Sequence, residues 1–266
     1  MEKAYVFYNP LAGEGKILED LELFPFIINE DCVFCDMTKP ETYEESLFAM
    51  DAEDPLILCG GDGTLNRFVN IMEGIHRPNC VFYYPAGENN DFARDFGREY
   101  GCNPFPVKKA LKGLPRVSIG GRSGFFLTGI LFDTIRRDFP GNTANIEKDK
   151  PCNLKITADK ALYHYEKVRF AAVMKGRYCG GGLLPDPYRQ RTHRQLSCVV
   201  ICGCGAGRAK ALLQKLQKGT IPHSRHLHIH TGVRIGLSFG RPVSISTDGE
   251  IMTGVTQICA TEGVSN

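Results

Sequence analysis

The stretch Leu56-Ile57-Leu58-Cys59-Gly60-Gly61-Asp62-Gly63-Thr64-Leu65-Asn66 sets the reading of the whole chain. An apolar run stops at two glycines, an acid, a third glycine and a threonine, and apolar positions then recur at Leu65, Phe68, Val69 and Met72. That pattern predicts a buried strand, a tight turn and a helix beginning near Thr64. Glycines let the backbone take positive φ and approach a ligand closely, while a helix N-terminus turns N–H groups and its positive dipole end into the same space. Such a corner suits a polyanion. Asp62 is its odd member, and a carboxylate facing phosphates makes sense with magnesium between them. The competing reading is a plain glycine-rich turn with an aspartate at the helix cap.

Working outward, 266 residues of which 42% are hydrophobic can bury one large core or two modest ones, and the change of texture along the chain predicts two domains. A net charge of +2 requires no nucleic-acid partner, so a basic patch would have to be local. No apolar run reaches about 18 residues, so no transmembrane segment is expected. Met1-Glu2-Lys3 does not open a signal peptide, and the expected location is the cytoplasm. The eleven cysteines are scattered and read as free, mostly buried thiols of a reducing compartment, the Cys32-x-x-Cys35 pair included.

Strand and helix patterns alternate through the first third. Strands are predicted at 4–8, 32–35, 56–59 and 80–84, with helices at 17–26, 41–50, from 64 and at 92–96. Repeated strand-helix units imply a doubly wound, mostly parallel sheet, whose ligands bind outside the carboxyl ends of its strands. Three of those ends carry loops rich in Gly, Asn and Asp, at residues 9–16, 60–66 and 85–91. From Arg116 the pattern becomes strands in succession: 116–119, 124–130, 153–157, 162–166, 168–174, 196–202, 227–239, 243–246 and 255–259. One amphipathic helix interrupts them at 206–218, and 139–150 reads as a loop. The expected domains are therefore an α/β domain over 1–115 and an antiparallel β-rich domain over 116–266, with the last strand left open to return to the first domain.

Taken in order, Asn9-Pro10-x-x-Gly13-x-Gly15-Lys16, Gly60-Gly61-Asp62-Gly63-Thr64-Leu65-Asn66, Pro85-x-Gly87-x-x-Asn90-Asp91-Phe92-Ala93-Arg94 and Asp248-Gly249-Glu250 resemble the motifs of the bacterial diacylglycerol and sphingosine kinase family. Gly176-Arg177-Tyr178-Cys179-Gly180-Gly181-Gly182 is similar to its second-domain glycine-rich segment, so the resemblance runs over nearly the whole chain. It implies an ATP-binding first domain, a lipid-binding second domain, magnesium, and transfer of the γ-phosphoryl group of ATP to a lipid hydroxyl, with the enzyme visiting the membrane surface only transiently. The Gly-Gly-Asp-Gly element is shared with dinucleotide kinases and phosphofructokinases and does not choose the acceptor. A kinase for a soluble small molecule and a weakened or non-catalytic nucleotide-binding relative are the alternatives.

The chain departs from the family pattern at Ala12 and Glu88, where Ser and Thr are usual, and at Ser118, Thr128 and His193-Arg194-Gln195, where an acid, an Asn and Asp-Gly are usual. Under the resemblance, Asp62 holds magnesium, Thr64 and the backbone of Gly60, Gly61 and Gly63 bond phosphates, and Asn9, Pro10, Gly13, Gly15 and Lys16 position the nucleotide together with Gly87, Asn90 and Asp91. Lys16 reads equally as a solvated side chain, and Asn90 with Asp91 as a helix cap. Glu88 either turns away into solvent or toward a basic side chain, or joins Asp62 as a metal ligand. One carboxylate of Asp248 and Glu250 takes the hydroxyl proton and the other supports metal or nucleotide. His223, His226, His228 and His230 read as a solvated strand edge in preference to a metal site. Arg189, Arg191, His193 and Arg194 form the densest basic run, a solvated loop or a contact for anionic headgroups.

Overall fold

The computed structural model describes residues 3–28, 31–72, 79–134 and 150–263, which divide into two compact units, Met1–Lys112 and Gly113–Asn266. The first unit opens with β1 (Lys3–Tyr8), a short 3-10 turn (Ala12–Gly15) and α1 (Ile17–Ile28), followed by β2 (Asp31–Asp36) and α2 (Pro40–Ala49). Then come β3 (Leu56–Gly60), α3 (Asp62–Ile71), β4 (Val81–Pro85), α4 (Asp91–Arg94), β5 (Phe105–Pro106) and α5 (Lys108–Leu111). The sheet order is β2-β1-β3-β4-β5, parallel except for β5, which joins β4 antiparallel and carries too few residues to announce itself in the sequence.

Every residue of β3 is buried, as a strand covered on both faces requires. On one face α1 contributes Ile17, Leu21 and Phe24 to a cluster with Val6, Ile57 and Tyr84. On the other, Phe68 of α3 meets Phe7 at 6.2 Å between ring centroids. The strand order reverses between β1 and β3, which puts the loops leaving those two strands at the topological switch point, the edge where such sheets bind ligands.

The second unit holds β6 (Arg116–Ile119), β7 (Arg122–Phe125), β8 (Gly129–Asp133), β9 (Cys152–Ala158), β10 (Ala161–Val168), β11 (Phe170–Met174) and β12 (Leu196–Ile201). After α6 (Ala206–Gln217) come β13 (Leu227–Gly232), β14 (Arg234–Thr247) and β15 (Glu250–Thr261). Together they form a ten-stranded antiparallel sheet, β13-β12-β11-β8-β14-β15-β6-β7, with β9 also on β14 and β10 on β9. The last strand stays in this sheet, between β14 and β6, and does not join the first. A core of alternating inward residues such as Phe126, Leu154, Val200 and Ile245 fills one side, and Ala209, Leu212, Leu213 and Leu216 of α6 cover another cluster around Phe170 and Val199.

Two expected strands prove to be pairs. The run 124–130 breaks at 126–128, where the N–H of Phe126 turns to Pro115 and those of Leu127 and Thr128 turn to the Asp248 carboxylate, so no ladder can use them. The run 227–239 breaks at half-exposed Val233, because β13 belongs beside β12 and β14 beside β15. Apolar alternation alone does not reveal such a change of partner. The segment 139–149, read as a loop, lies outside the described residues.

Candidate active site

The three polar loops of the first unit follow β1, β3 and β4, neighbours in one sheet, and their backbones touch. A Cβ on Gly87 would stand 2.5 Å from the Gly61 Cα, and one on Gly13 would stand 2.6 Å from the Ala86 carbonyl oxygen. Gly60, at the end of β3, is confined by the helix that follows, since a Cβ there would meet the Thr64 side chain of α3 at 2.6 Å. These glycines serve loop-to-loop contact first. Gly13, Glu14 and Gly15 all have left-handed φ, at 59°, 58° and 89°, which coils the first loop tightly and leaves Lys16 exposed.

Side chains lock the same loops. Asn9 donates through Nδ2 to the Thr64 hydroxyl at 3.2 Å and accepts the Leu11 N–H at 3.0 Å, while Pro10 holds the half-buried bend between. Asn90 is buried, in the left-handed region, and braces Gly87 from both sides, accepting its N–H at 2.9 Å and donating to its carbonyl. The Tyr83 hydroxyl, wholly buried, donates to the Gly60 carbonyl at 2.9 Å, and burial pushes that phenol well up. Nothing in the sequence signals the Tyr83 contact, because its partner lies on the adjacent strand 23 residues away.

Asp62 begins α3, two residues earlier than the apolar period suggests, with Gly61 as its cap. Its carboxylate reaches the third loop and accepts the N–H groups of Asp91 at 2.7 Å and Phe92 at 3.0 Å, so it caps α4. Asp91 itself is buried. The first turn of α3, Asp62, Gly63 and Thr64, presents N–H groups that no earlier turn can accept. Ala12, where a hydroxyl was usual, is buried against Ala86 and Ile17 and serves the core. Glu88 and Asn89 are exposed at the loop tip.

Fit to a magnesium-nucleotide can be judged from these groups. A ten-residue helix start, an amide-hydroxyl pair, an exposed lysine and one carboxylate on a cluster of packed turns match polyphosphate and a cation held by one or two carboxylates. Among the described residues no three His, Cys, Asp or Glu side chains gather as an all-protein metal site.

The fourth motif lies in the second unit. Asp248 and Gly249 make the two-residue turn between β14 and β15, with φ of 45° and 91°. Asp248 is buried, and its carboxylate accepts the Leu127 N–H at 2.6 Å, the Thr128 N–H at 2.9 Å and the Thr128 hydroxyl at 2.6 Å. Thr128 thus has a defined task. Glu250, in contrast, is exposed at the first position of β15.

Other expectations change. Arg189 is buried rather than part of a solvated basic loop, whereas His193 and Arg194 are exposed. The histidines of β13 are half-buried rather than solvated: His230 stacks on Tyr163 at 3.9 Å and its Nε2 pairs with the Tyr165 hydroxyl at 2.7 Å. Each cysteine is a thiol, and burial pushes Cys35 up, Cys152 to about 11 and Cys198 to about 12, away from thiolate chemistry. A cavity of about 790 Å³ on the β6, β15, β14 and β9 face is lined by Ser118, Lys155, Ser238 and Gln257 and includes none of the four motifs' charged residues. No helix among the described residues is long and apolar enough to cross a membrane.

Comparison with known proteins bears on the same loops. Residues 3–117 match the family model described as diacylglycerol kinase catalytic domain. The chain is 28% identical over 172 residues to a diacylglycerol kinase of Bacillus subtilis (strain 168), covering 62% of this chain and 54% of that protein. The match thus spans about half the length of that curated relative. A crystal structure of a diacylglycerol kinase from Bacillus anthracis str. Sterne superposes with a TM-score of 0.66 at 19% identity, over 98% of this chain and 94% of the other, a likeness of fold.

Proposed function

Because residues 3–117 belong to the diacylglycerol kinase catalytic domain family, we propose that the protein is an ATP- and magnesium-dependent lipid kinase, transferring the γ-phosphoryl group to the hydroxyl of diacylglycerol or a related membrane lipid. The observation that supports this reading most is the packing of loops 9–16, 60–66 and 85–91 against one another at the switch-point edge of the first sheet. Phosphoryl transfer asks a protein for alignment and charge neutralisation more than covalent chemistry, and these loops offer both.

In this reading the first-turn N–H groups of α3 and the Thr64 hydroxyl orient phosphate oxygens, Asn9 fixes the Thr64 hydroxyl, and Lys16 adds a cation. Magnesium, when bound, neutralises charge on the transferring group, with Asp62 holding it directly or through water and Glu88 able to lend a second oxygen. Asn90 and Asp91 act as braces of the loop that Asp62 caps. Glu250 takes the acceptor's proton, because its carboxylate is exposed while that of Asp248 is occupied by three donors and positions the turn. The acceptor is insoluble, so the reaction belongs at the surface of a membrane that a cytoplasmic enzyme visits.

The test is transfer of radiolabelled γ-phosphate from ATP, with and without magnesium, to a mixed lipid extract, with the product identified by mass. A labelled lipid formed only with magnesium is expected. Label appearing solely in a water-soluble acceptor would replace the lipid with a small molecule, and ATP binding with no transfer to any acceptor would leave a nucleotide-binding protein.

A further inference from the structure

The cavity of about 790 Å³ on the second sheet takes no part in the chemistry assigned above. Its walls follow from the strand register. Thr157 of β9, Gly236 of β14, Cys259 of β15 and Ser118 of β6 pair in succession across four strands, and Lys155, Ser238 and Gln257 make the next row on the same face. The residues between the rows, Ile156, Leu237 and Ile258, belong to the core on the opposite face. Beyond β15 the β6–β7 turn adds Gly120, Gly121 and Arg122 to the rim.

Gly236 lies on the floor of this cavity, and nothing in the fold asks for glycine there. Its φ is not left-handed, and a Cβ would stand 3.7 Å from that of Thr157, an ordinary contact. The three nearest atoms all belong to neighbouring strands. A glycine inside a strand forfeits packing and backbone entropy, and it often marks a place where a ligand comes close. The lining says what kind of ligand. The Ser118, Thr157 and Ser238 hydroxyls, the Gln257 amide and the Lys155 and Arg122 cations make no side-chain hydrogen bond or ion pair with the rest of the protein among the described residues. No aromatic ring lines the cavity to stack a nucleobase, and no carboxylate lines it to oppose an anion. A floor of hydroxyls and an amide does not suit an acyl chain. A small hydroxylated anion satisfies every one of these groups. We propose that this face binds a phosphorylated sugar or polyol, its hydroxyls on Ser118, Thr157, Ser238 and Gln257 and its phosphate on Lys155, with Arg122 a second cation on the far rim. The ligand is either a soluble sugar phosphate or the headgroup of a glycophospholipid. The site stands independently of the kinase reading.

Calorimetric titration of glucose 6-phosphate into the full chain, without nucleotide or magnesium, tests it. One saturable site is expected, weakened by about tenfold or more in Lys155→Met and in Gly236→Val, and unchanged in Lys16→Ala of the first unit. Lys155 is exposed, so its variant carries the comparison if Gly236→Val fails to fold. Glucose and inorganic phosphate should each bind at least about tenfold more weakly than glucose 6-phosphate. Bound ligand should also slow alkylation of half-buried Cys259 but not of exposed Cys80, read peptide by peptide. Sedimentation with phosphatidylcholine vesicles, with and without phosphatidylinositol, separates the sources. Capture by phosphatidylinositol that glucose 6-phosphate competes away and Lys155→Met abolishes assigns a headgroup, and binding of glucose 6-phosphate without capture assigns a soluble ligand. No saturable binding of glucose 6-phosphate, binding untouched by both Lys155→Met and Gly236→Val, or inorganic phosphate binding as tightly as the sugar phosphate overturns the proposal.

Discussion

The Asp62 carboxylate accepts the backbone N–H of Asp91 at 2.7 Å, so the acid of the glycine-rich turn also pins the third loop of the site. Asp62→Asn removes charge where magnesium is assigned and, by placing an NH₂ where an acceptor stood, loosens the cap on α4. Stability should fall by about 1–2 kcal/mol, within the range of a lost cap, and turnover by about a hundredfold or more. Denaturant midpoint and initial rate on one preparation separate the two effects. Near-normal turnover in a folded variant would remove Asp62 from the phosphate site.

Gly87 and Gly61 test whether loop contact matters. The atom a Cβ on Gly87 would meet is backbone, which cannot swing aside as a side chain would. Gly87→Ala should therefore force the second and third loops apart and cost about 1–3 kcal/mol, with a rise in the KM for ATP. Gly15→Ala meets nothing within 4 Å, and its cost is backbone strain alone at a φ of 89°, about 1–2 kcal/mol. A smaller loss at Gly87 than at Gly15 would mean the loops relax freely.

Glu88 is exposed at the tip of the third loop, so solvent screens its repulsion of nearby phosphate. As a metal ligand, its replacement in Glu88→Thr should shift the magnesium dependence to higher concentration and lower activity. Titrating magnesium at fixed ATP decides this. Tighter ATP binding at unchanged magnesium dependence would show that Glu88 is a mild repulsive charge only.

How far the sequence reached follows from which interactions are local. The alternating units and the apolar run 56–59 define the first sheet because a buried parallel strand must be apolar throughout. The three loops could be placed on one edge for the same reason. Their internal bracing could not, since Tyr83 to Gly60 and Asp62 to Phe92 join residues brought together by the sheet, with no spacing that betrays them. In the second unit, residues 126–128 continue an apolar pattern while their N–H groups leave the ladder for Pro115 and for Asp248, 120 residues or more from its partners. Burial of Arg189 was illegible because a basic run ordinarily marks a solvated face.

His230 gives a pH dependence. Burial and the neighbouring His228 lower its pKa below the usual 6.5, so the fold favours neutral imidazole. The unfolded chain then binds the proton more readily. Stability supplied by the neutral ring is present above about pH 6.5 and declines as pH falls towards the folded value. In His230→Gln the slope of stability against pH between about 6.5 and 5 should flatten. Urea midpoints across that window check it, and an unchanged slope would assign the acid sensitivity to other groups.

Asp248 and Glu250 share a motif but differ in surroundings, and their variants should part accordingly. Asp248→Asn keeps a residue that tolerates the left-handed turn, yet it replaces one acceptor oxygen with a donor facing the buried N–H groups of Leu127 and Thr128. Leaving such a donor unmatched costs about 1–3 kcal/mol, so this variant should lose stability and, with the turn displaced, activity. Glu250→Gln changes an exposed side chain and should leave stability within about 0.5 kcal/mol. As the assigned proton acceptor it should lower kcat by about 10²–10⁴-fold with little change in the KM for ATP. Melting curves and steady-state kinetics on the two variants give the comparison. If Asp248→Asn proves as stable as the parent while losing kcat, and Glu250→Gln retains it, the base is Asp248 and its three hydrogen bonds are part of the catalytic apparatus.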